Sequence, residues 1–137
     1  MSLGDRIRKF LGDDPQKIVD EILKNMKEEY GDIPYIAKSM SKRKPEAFIF
    51  NALQNLFTIK QPKAVSPKIA ELLAIAAATA IGCEHCIDFH IKAAMRQFGV
   101  SPDEIFDAIM IAGLISQSSK LAVSLRKLDK VTHSDTH

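Results

Sequence analysis

Apolar residues recur at intervals of three and four along almost the whole chain, and no stretch alternates apolar and polar residues with a period of two. Ile18, Ile22, Leu23 and Met26, for example, form one stripe of a helix. A period near 3.6 is typical of an α-helix, whereas a period of two is typical of a half-buried strand. The spacing therefore predicts an all-α fold, and a length of 137 residues fits a single domain.

Capping residues, prolines and glycines indicate where the helices begin and end. Ser66 before Pro67 is a good N-cap, and Ser101 with Glu104 has the spacing of a capping box. The stretch IKQPKAVSP, residues 59–67, is predicted to be a loop, and its last residue, Pro67, begins the next helix. The predicted helices are 15–30, 33–40 as a short helix or turn, 47–58, 67–80, 83–98 and a last long helix after Ser101, followed by a frayed polar tail over 131–137.

Acidic and basic residues are mixed along the chain and nearly balanced, with 19 basic against 17 acidic residues and a formal charge of +2. Such a balance indicates no surface for a nucleic acid, and residues 42–44 form the only basic cluster. No apolar run approaches the ~20 residues that span a bilayer, and the N-terminus has no apolar stretch followed by a cleavage site. We therefore expect a cytoplasmic protein with no nucleic-acid and no membrane partner.

The stretch GCEHCIDFH, residues 82–90, holds both cysteines of the chain and two of its four histidines. If a helix begins at Cys83, then Cys83, Cys86 and His90 share one face, and His85 lies about 200° around the helix from Cys83. The first turn of a helix favours thiolate over thiol, which favours Cys83 as the reactive group. Two thiols one turn apart can close a disulfide, and His90 can exchange a proton with Cys86. The spacing thus indicates thiol–disulfide chemistry.

Glu71 stands in the apolar stretch that precedes the cysteines. An ionised carboxylate among apolar residues is costly unless it is paired. If the two helices pack against each other across Gly82, Glu71 reaches His90 directly or through a water and serves as a proton acceptor. The alternative is that Glu71 lies on the exposed side of its helix, and the sequence alone favours neither.

Two other interpretations of the cysteine cluster remain open. Two cysteines and a histidine can contribute to a zinc site, but a closed site would need His85 or the tail residues His133 and His137 as further ligands. The cysteines can also pack as small hydrophobic side chains, although polar neighbours surround them. We expect no metal and no organic cofactor besides the redox-active Cys83/Cys86 disulfide.

The segment ELLAIAAATAIGCEHCIDFHIKAA resembles the carboxymuconolactone decarboxylase and alkylhydroperoxidase D-like family. Glu71 stands twelve residues before Cys83, and CxHCxxxH spans Cys83 to His90. The resemblance implies an alkylhydroperoxidase D-like helical bundle over 31–130, with a helical extension over 1–30 and a flexible tail over 131–137. It also implies assembly into homo-trimers or homo-hexamers.

The resemblance further implies a thiol-dependent peroxidase or disulfide reductase of the antioxidant response, with a hydroperoxide substrate and an unknown thiol or protein reductant. In that scheme Cys86 attacks, Cys83 resolves, and Glu71, His85 and His90 support proton transfer. The reactive thiol is then Cys86 rather than Cys83. A lactone-acid decarboxylase and a non-catalytic zinc-binding helical oligomer are the alternatives.

Overall fold

The computed structural model describes residues 1–12 and 14–134, which form α-helices, one π-helical segment and no β-strand. This confirms the predicted all-α class. The α-helices are α1 (Leu3–Leu11), α2 (Pro15–Tyr30), α3 (Tyr35–Arg43), α4 (Pro45–Asn55), α5 (Pro67–Ile81), α6 (Glu84–Phe98) and α7 (Pro102–Ser134), with the π-helix Leu56–Lys60 directly after α4.

Several helix ends have the capping groups that the sequence predicted. α2 has the predicted bounds, and the Ser66 side chain accepts a hydrogen bond from the Ile69 N–H at the start of α5. At the start of α7 the Ser101 N–H donates to the Glu104 carboxylate, and the Glu104 N–H donates to the Ser101 hydroxyl. These contacts confirm the capping box and fix where α7 begins.

The structure differs from the predicted elements by more than one residue in five places. Helix α3 spans Tyr35–Arg43 rather than 33–40, and α4 begins at Pro45 rather than at 47. Helix α1 lies in the predicted helical extension over 1–30 but had no predicted bounds; a capping box between Ser2 and Asp5 stabilises its first turn. The chain over 56–60 is π-helical, so the predicted loop begins later and Lys60 belongs to a helix. Residues 131–134, expected to be frayed, continue α7, while residues 135–137 of the expected tail lie outside the described part of the chain.

The buried apolar residues form two clusters. One joins α2, α3 and α4 through Val19, Ala37, Phe48 and Ile49. The other joins α5, α6 and α7 and includes the fully buried Ile75. The π-helix contacts α5, and α2 contacts α6, so the two halves of the bundle meet between these elements.

Helices α5 and α6 form a hairpin across Gly82, which has the left-handed conformation (φ 71°, ψ 32°) that glycine adopts easily. The hairpin packs Glu71 of α5 against His90 of α6. Although the middle of α5 is apolar all round, only one of its faces is buried, and Leu73 and Ile81 are exposed. It is therefore this buried face that brings α5 side chains such as Glu71 into contact with α6.

Helix α7 extends beyond the bundle. Ile105 and Ala112 are buried near its start, whereas the described residues from Gly113 onward are almost all exposed. By length and composition alone α7 is long and apolar enough to cross a membrane, and little of its most apolar part is buried. Polar residues such as Gln117 and Lys120 interrupt its apolar residues, so the sequence contains no unbroken apolar run of that length.

Replacing Ile75 by Ala should lower the free energy of unfolding by about 2–5 kcal/mol, because it leaves a cavity in the second cluster. Ile81→Ala makes the same chemical change at a side chain that is 79% exposed in the same helix, and should change stability little. Urea unfolding followed by circular dichroism measures both. Equal losses in the two variants would contradict the assigned core.

Candidate active site

Cys83 and Cys86 form a disulfide, with 5.3 Å between their Cα atoms. Cys83 is the N-cap of α6, and the helix itself begins at Glu84. The Cys83 N–H donates to the Ala78 carbonyl of α5, which fastens the start of the motif to the end of the preceding helix. The cysteines are therefore close enough to cycle between dithiol and disulfide without moving either helix.

The helical spacing predicted that His85 faces away from Cys83, but in the structure the two side chains lie close together. The Nε2 of His85 lies 3.6 Å from the Cys83 Sγ. The prediction was wrong because Cys83 has the non-helical dihedrals φ −82° and ψ 88°, so the rotation of 100° per residue does not apply between Cys83 and His85. His85 is thus placed to exchange a proton with the sulfur of Cys83.

Glu71 is completely buried and contacts His90 directly. Its Oε2 lies 2.8 Å from the Nδ1 of His90. A carboxylate only accepts hydrogen bonds, so the Nδ1 carries the hydrogen and the Nε2 of a neutral ring keeps its lone pair. This geometry supports the buried alternative for Glu71 and gives His90 a free basic nitrogen.

Lys60 is a member of the site that the sequence reasoning missed. Its ammonium donates to the Glu71 Oε1 at 2.8 Å and to the Gln97 Oε1 at 3.0 Å, and its side chain is only 11% exposed. The available signal was indirect: a buried carboxylate needs a cation, and Lys60 precedes Glu71 by eleven residues. Because residues 59–67 were predicted to be a loop, Lys60 was not considered as a partner of Glu71.

The two partners of Glu71 decide its charge. Burial opposes ionisation of this carboxyl, but hydrogen bonds from His90 and Lys60, together with the charge of Lys60, outweigh that effect. The pKa of Glu71 is therefore below its ordinary value. The site holds a carboxylate between an ammonium and an imidazole.

Aromatic rings surround the Lys60 ammonium. It lies 4.8 Å from the ring centroid of Tyr30 and 5.4 Å from that of Phe98, and Tyr30 packs against Phe89 with centroids 4.3 Å apart. Burial raises the pKa of the Tyr30 hydroxyl, although hydrogen bonding with Lys60 and Gln97 opposes the increase. Tyr30 is therefore a neutral phenol at physiological pH.

A cavity of about 630 Å³ opens beside this network. Cys86, His85, His90 and Lys60 line it, whereas Cys83 is not among the lining residues. Much of the rest of the cavity wall is apolar and comes from α2, α3, α4 and the π-helix. Its apolar residues from these elements include Ile22, Met26, Ile36, Ala37, Phe48, Ala52, Leu53 and Leu56. A small molecule in the cavity would meet Cys86 before Cys83.

Cys83, His85 and Cys86 also form a cluster that can hold a metal ion, because their ligand atoms lie within 4.8 Å of one another. The cluster includes His85 but not His133, and His137 lies outside the described residues. Sulfurs joined in a disulfide are not thiolate ligands, so a metal could bind there only after reduction. Metal binding and disulfide formation are mutually exclusive states of this cluster.

The fold and site together define a helical protein in which a cysteine pair adjoins a buried carboxylate–histidine pair. Residues 46–130 match the model of the Carboxymuconolactone decarboxylase family, and this match covers more than half of the chain. The chain belongs to this family, which includes alkylhydroperoxidase D-like proteins. Comparison with curated proteins and with solved structures gives no match.

The lowered pKa of Glu71 predicts a dependence of stability on pH. The carboxylate stabilises the fold above its ordinary pKa of 4.5, and this contribution is lost as the pH falls through the lower pKa of the folded state. Below pH 4.5 the free energy of unfolding should therefore fall more steeply for the wild type than for Glu71→Gln. Urea unfolding at a series of pH values measures this difference.

Glu28→Gln is the matched control, since Glu28 is exposed on α2. That variant should follow the wild-type dependence on pH. Parallel curves for the wild type and Glu71→Gln would show that Glu71 is not held ionised by its partners.

Proposed function

We propose that the protein is a thiol-dependent peroxidase or disulfide reductase of the antioxidant response, with a hydroperoxide as its oxidising substrate. The observation that carries the proposal is the Cys83–Cys86 disulfide. One of its two cysteines, Cys86, lines a cavity together with His90. His90 follows Cys86 by one helical turn and is oriented by Glu71. This supports Cys86 as the attacking thiol and His90 as its proton acceptor.

In the first step the reduced Cys86 transfers its proton to the Nε2 of His90 and attacks the outer oxygen of the hydroperoxide. The S–O bond forms as the O–O bond breaks. The departing alkoxide takes the proton from the His90 imidazolium and leaves as an alcohol, and Cys86 becomes a sulfenic acid. Glu71 accepts a hydrogen bond from the imidazolium during the transfer.

In the second step Cys83 attacks the sulfur of the sulfenic acid, the disulfide forms and water leaves. His85, beside the Cys83 sulfur, takes the proton from that thiol. One hydroperoxide is thereby reduced to an alcohol and water at the expense of two thiols. A thiol or protein dithiol must return two electrons, and we propose that this occurs in the cytoplasm, where such reductants are kept reduced.

Cys86→Ser should reduce hydroperoxide turnover to the background rate, because a serine hydroxyl is not oxidised by a peroxide. Cys83→Ser should still consume one equivalent of hydroperoxide and accumulate a sulfenic acid on Cys86. Turnover is measured with a dithiol reductant, and the sulfenic acid is trapped with a dimedone reagent and located by mass spectrometry.

Full activity of Cys86→Ser with every reductant tried would reject the proposal. Turnover of a lactone acid that survives replacement of both cysteines would instead favour the decarboxylase alternative. Stoichiometric zinc on the reduced protein, with thiols that resist alkylation, would favour the metal-binding alternative, for which Cys83, His85 and Cys86 have suitable spacing.

We also propose that the protein is a homo-trimer or homo-hexamer in which α7 packs against further copies. Six of its exposed large apolar residues recur at intervals of three, four and seven and so form a stripe along one side of the helix, while others, such as Ile115 and Val123, are exposed outside that stripe. The buried residues Ile105 and Ala112 lie on a different side. A stripe of this length exposed to water is typical of an interface. Its residues are Phe106, Met110, Leu114, Leu121, Leu125 and Leu128.

Leu114→Glu should shift the protein towards the monomer, because it buries a charge in the proposed interface. Ser119→Glu adds the same charge about 140° away around α7 and should leave the assembly intact. Sedimentation velocity measures the subunit count of both. A monomeric wild type, or one that is soluble only with detergent, would contradict the proposal, and the second result would favour membrane insertion of α7.

A further inference from the structure

Among the described residues, Lys60 is a buried charged member of the network that lies outside the stretch from Glu71 to His90. It projects from the π-helix, an element that often occurs at functional sites. Its side chain is 11% exposed and contacts Glu71 of α5 and Gln97 of α6. An ammonium placed this deeply must be balanced by a partner, and Glu71 is the carboxylate that balances it.

The charges that face Glu71 come from three elements. Lys60 of the π-helix and His90 of α6 bind its two oxygens. On the α2 side, Tyr30 is a neutral phenol, and Glu29 accepts a hydrogen bond from Gln97 at 3.2 Å. Among the described residues that contact Glu71, Lys60 is therefore the cationic side chain, and His90 is the group that accepts a proton in the proposed function.

We propose that Lys60 is a positioning residue that keeps Glu71 ionised while His90 is neutral, and so leaves His90 free to accept a proton. The role of the proton donor, Cys86, rests on the proposed function. The charge balance itself rests only on the contacts of Lys60, Glu71 and His90.

A buried carboxylate with no permanent cation has two ways to avoid an uncompensated charge. It can take up a proton itself, and then it is no longer the carboxylate that accepts a hydrogen bond from the Nδ1–H of His90 and orients the ring. Alternatively, it can hold His90 as imidazolium, and then the Nε2 has no lone pair for the thiol. The Lys60 ammonium removes both outcomes because it already balances the carboxylate when the imidazole is neutral.

The surroundings of Lys60 hold it in this place. Gln97 accepts its second hydrogen bond, and the rings of Tyr30, Phe89 and Phe98 lie within 6 Å of the ammonium. Its side chain therefore has little freedom to turn towards solvent. This is the arrangement expected of a fixed counter-charge rather than of a mobile surface lysine.

The direct test is the titration of the His90 ring, followed by long-range proton–nitrogen NMR of the reduced protein. His90→Gln assigns the signals by their absence. In Lys60→Met the midpoint of the His90 titration should move to higher pH by about one unit, because loss of the nearby cation favours the imidazolium. Lys60→Arg keeps the charge and should titrate like the wild type.

Lys63→Met is the matched control, since Lys63 is an exposed lysine three residues further along. Lys60→Gln retains a hydrogen-bond donor for Glu71 without the charge, and it replaces Lys60→Met if that variant does not fold. A shift in the charge-removing variants, absent from Lys60→Arg and Lys63→Met, supports the proposal. An unchanged or lowered midpoint in a folded variant without the charge would overturn it.

A second measurement needs no substitution of Lys60. Infrared difference spectra of the wild type are recorded across the pH range in which His90 loses its proton. They should contain no protonated-carboxyl band from Glu71, which would be recognised by its absence from the spectra of Glu71→Gln. A protonated Glu71 carboxyl at a pH at which the His90 ring is neutral would overturn the proposal.

Kinetics separate this inference from the proposed function. If the wild type reduces hydroperoxides, the acidic limb of its pH–rate profile should move to higher pH in Lys60→Met or Lys60→Gln and recover in Lys60→Arg. If the wild type has no peroxide turnover, the proposed function fails, while the His90 titration still decides the role of Lys60.

Discussion

The structure depends on how one buried carboxylate is accommodated. Glu71 has no contact with water, and it is held by a lysine from the π-helix and a histidine from α6. Removing Lys60 leaves a carboxylate without a permanent counter-charge, which the surrounding apolar side chains cannot compensate. Because Lys60 also contacts Gln97, which bonds to Glu29 of α2, the same network ties the two halves of the bundle together.

The features that could be predicted from the sequence are those decided by nearby residues. Periodicity gave the all-α class, and prolines and capping residues gave the bounds of α2 and the start of α7, because each depends on a few consecutive side chains. The approach of Glu71 to His90 was one of two alternatives that the sequence left open, and the structure decides between them. The motif also indicated the family, which the match over 46–130 confirms.

The remaining features depend on contacts that no local pattern records. Lys60 meets Glu71 only because the chain over 56–60 winds as a π-helix, and the apolar spacing there does not distinguish that helix from a frayed end. His85 turns to Cys83 because the N-cap departs from helical geometry. Helix α2 was predicted with its observed bounds, but its contribution to the cavity wall was not, because that depends on how α2 packs against distant parts of the chain.

That wall has a consequence for how members of such a family diverge. The cysteines, His90, Glu71 and Lys60 all lie within the matched region 46–130, whereas Ile22, Met26 and Ile36 precede it. The reactive groups thus lie within the matched region, while part of the surface that shapes the cavity lies before it. Substitutions before residue 46 can resize the cavity while the dithiol centre stays intact, which allows selection to act on ligand choice and on chemistry independently.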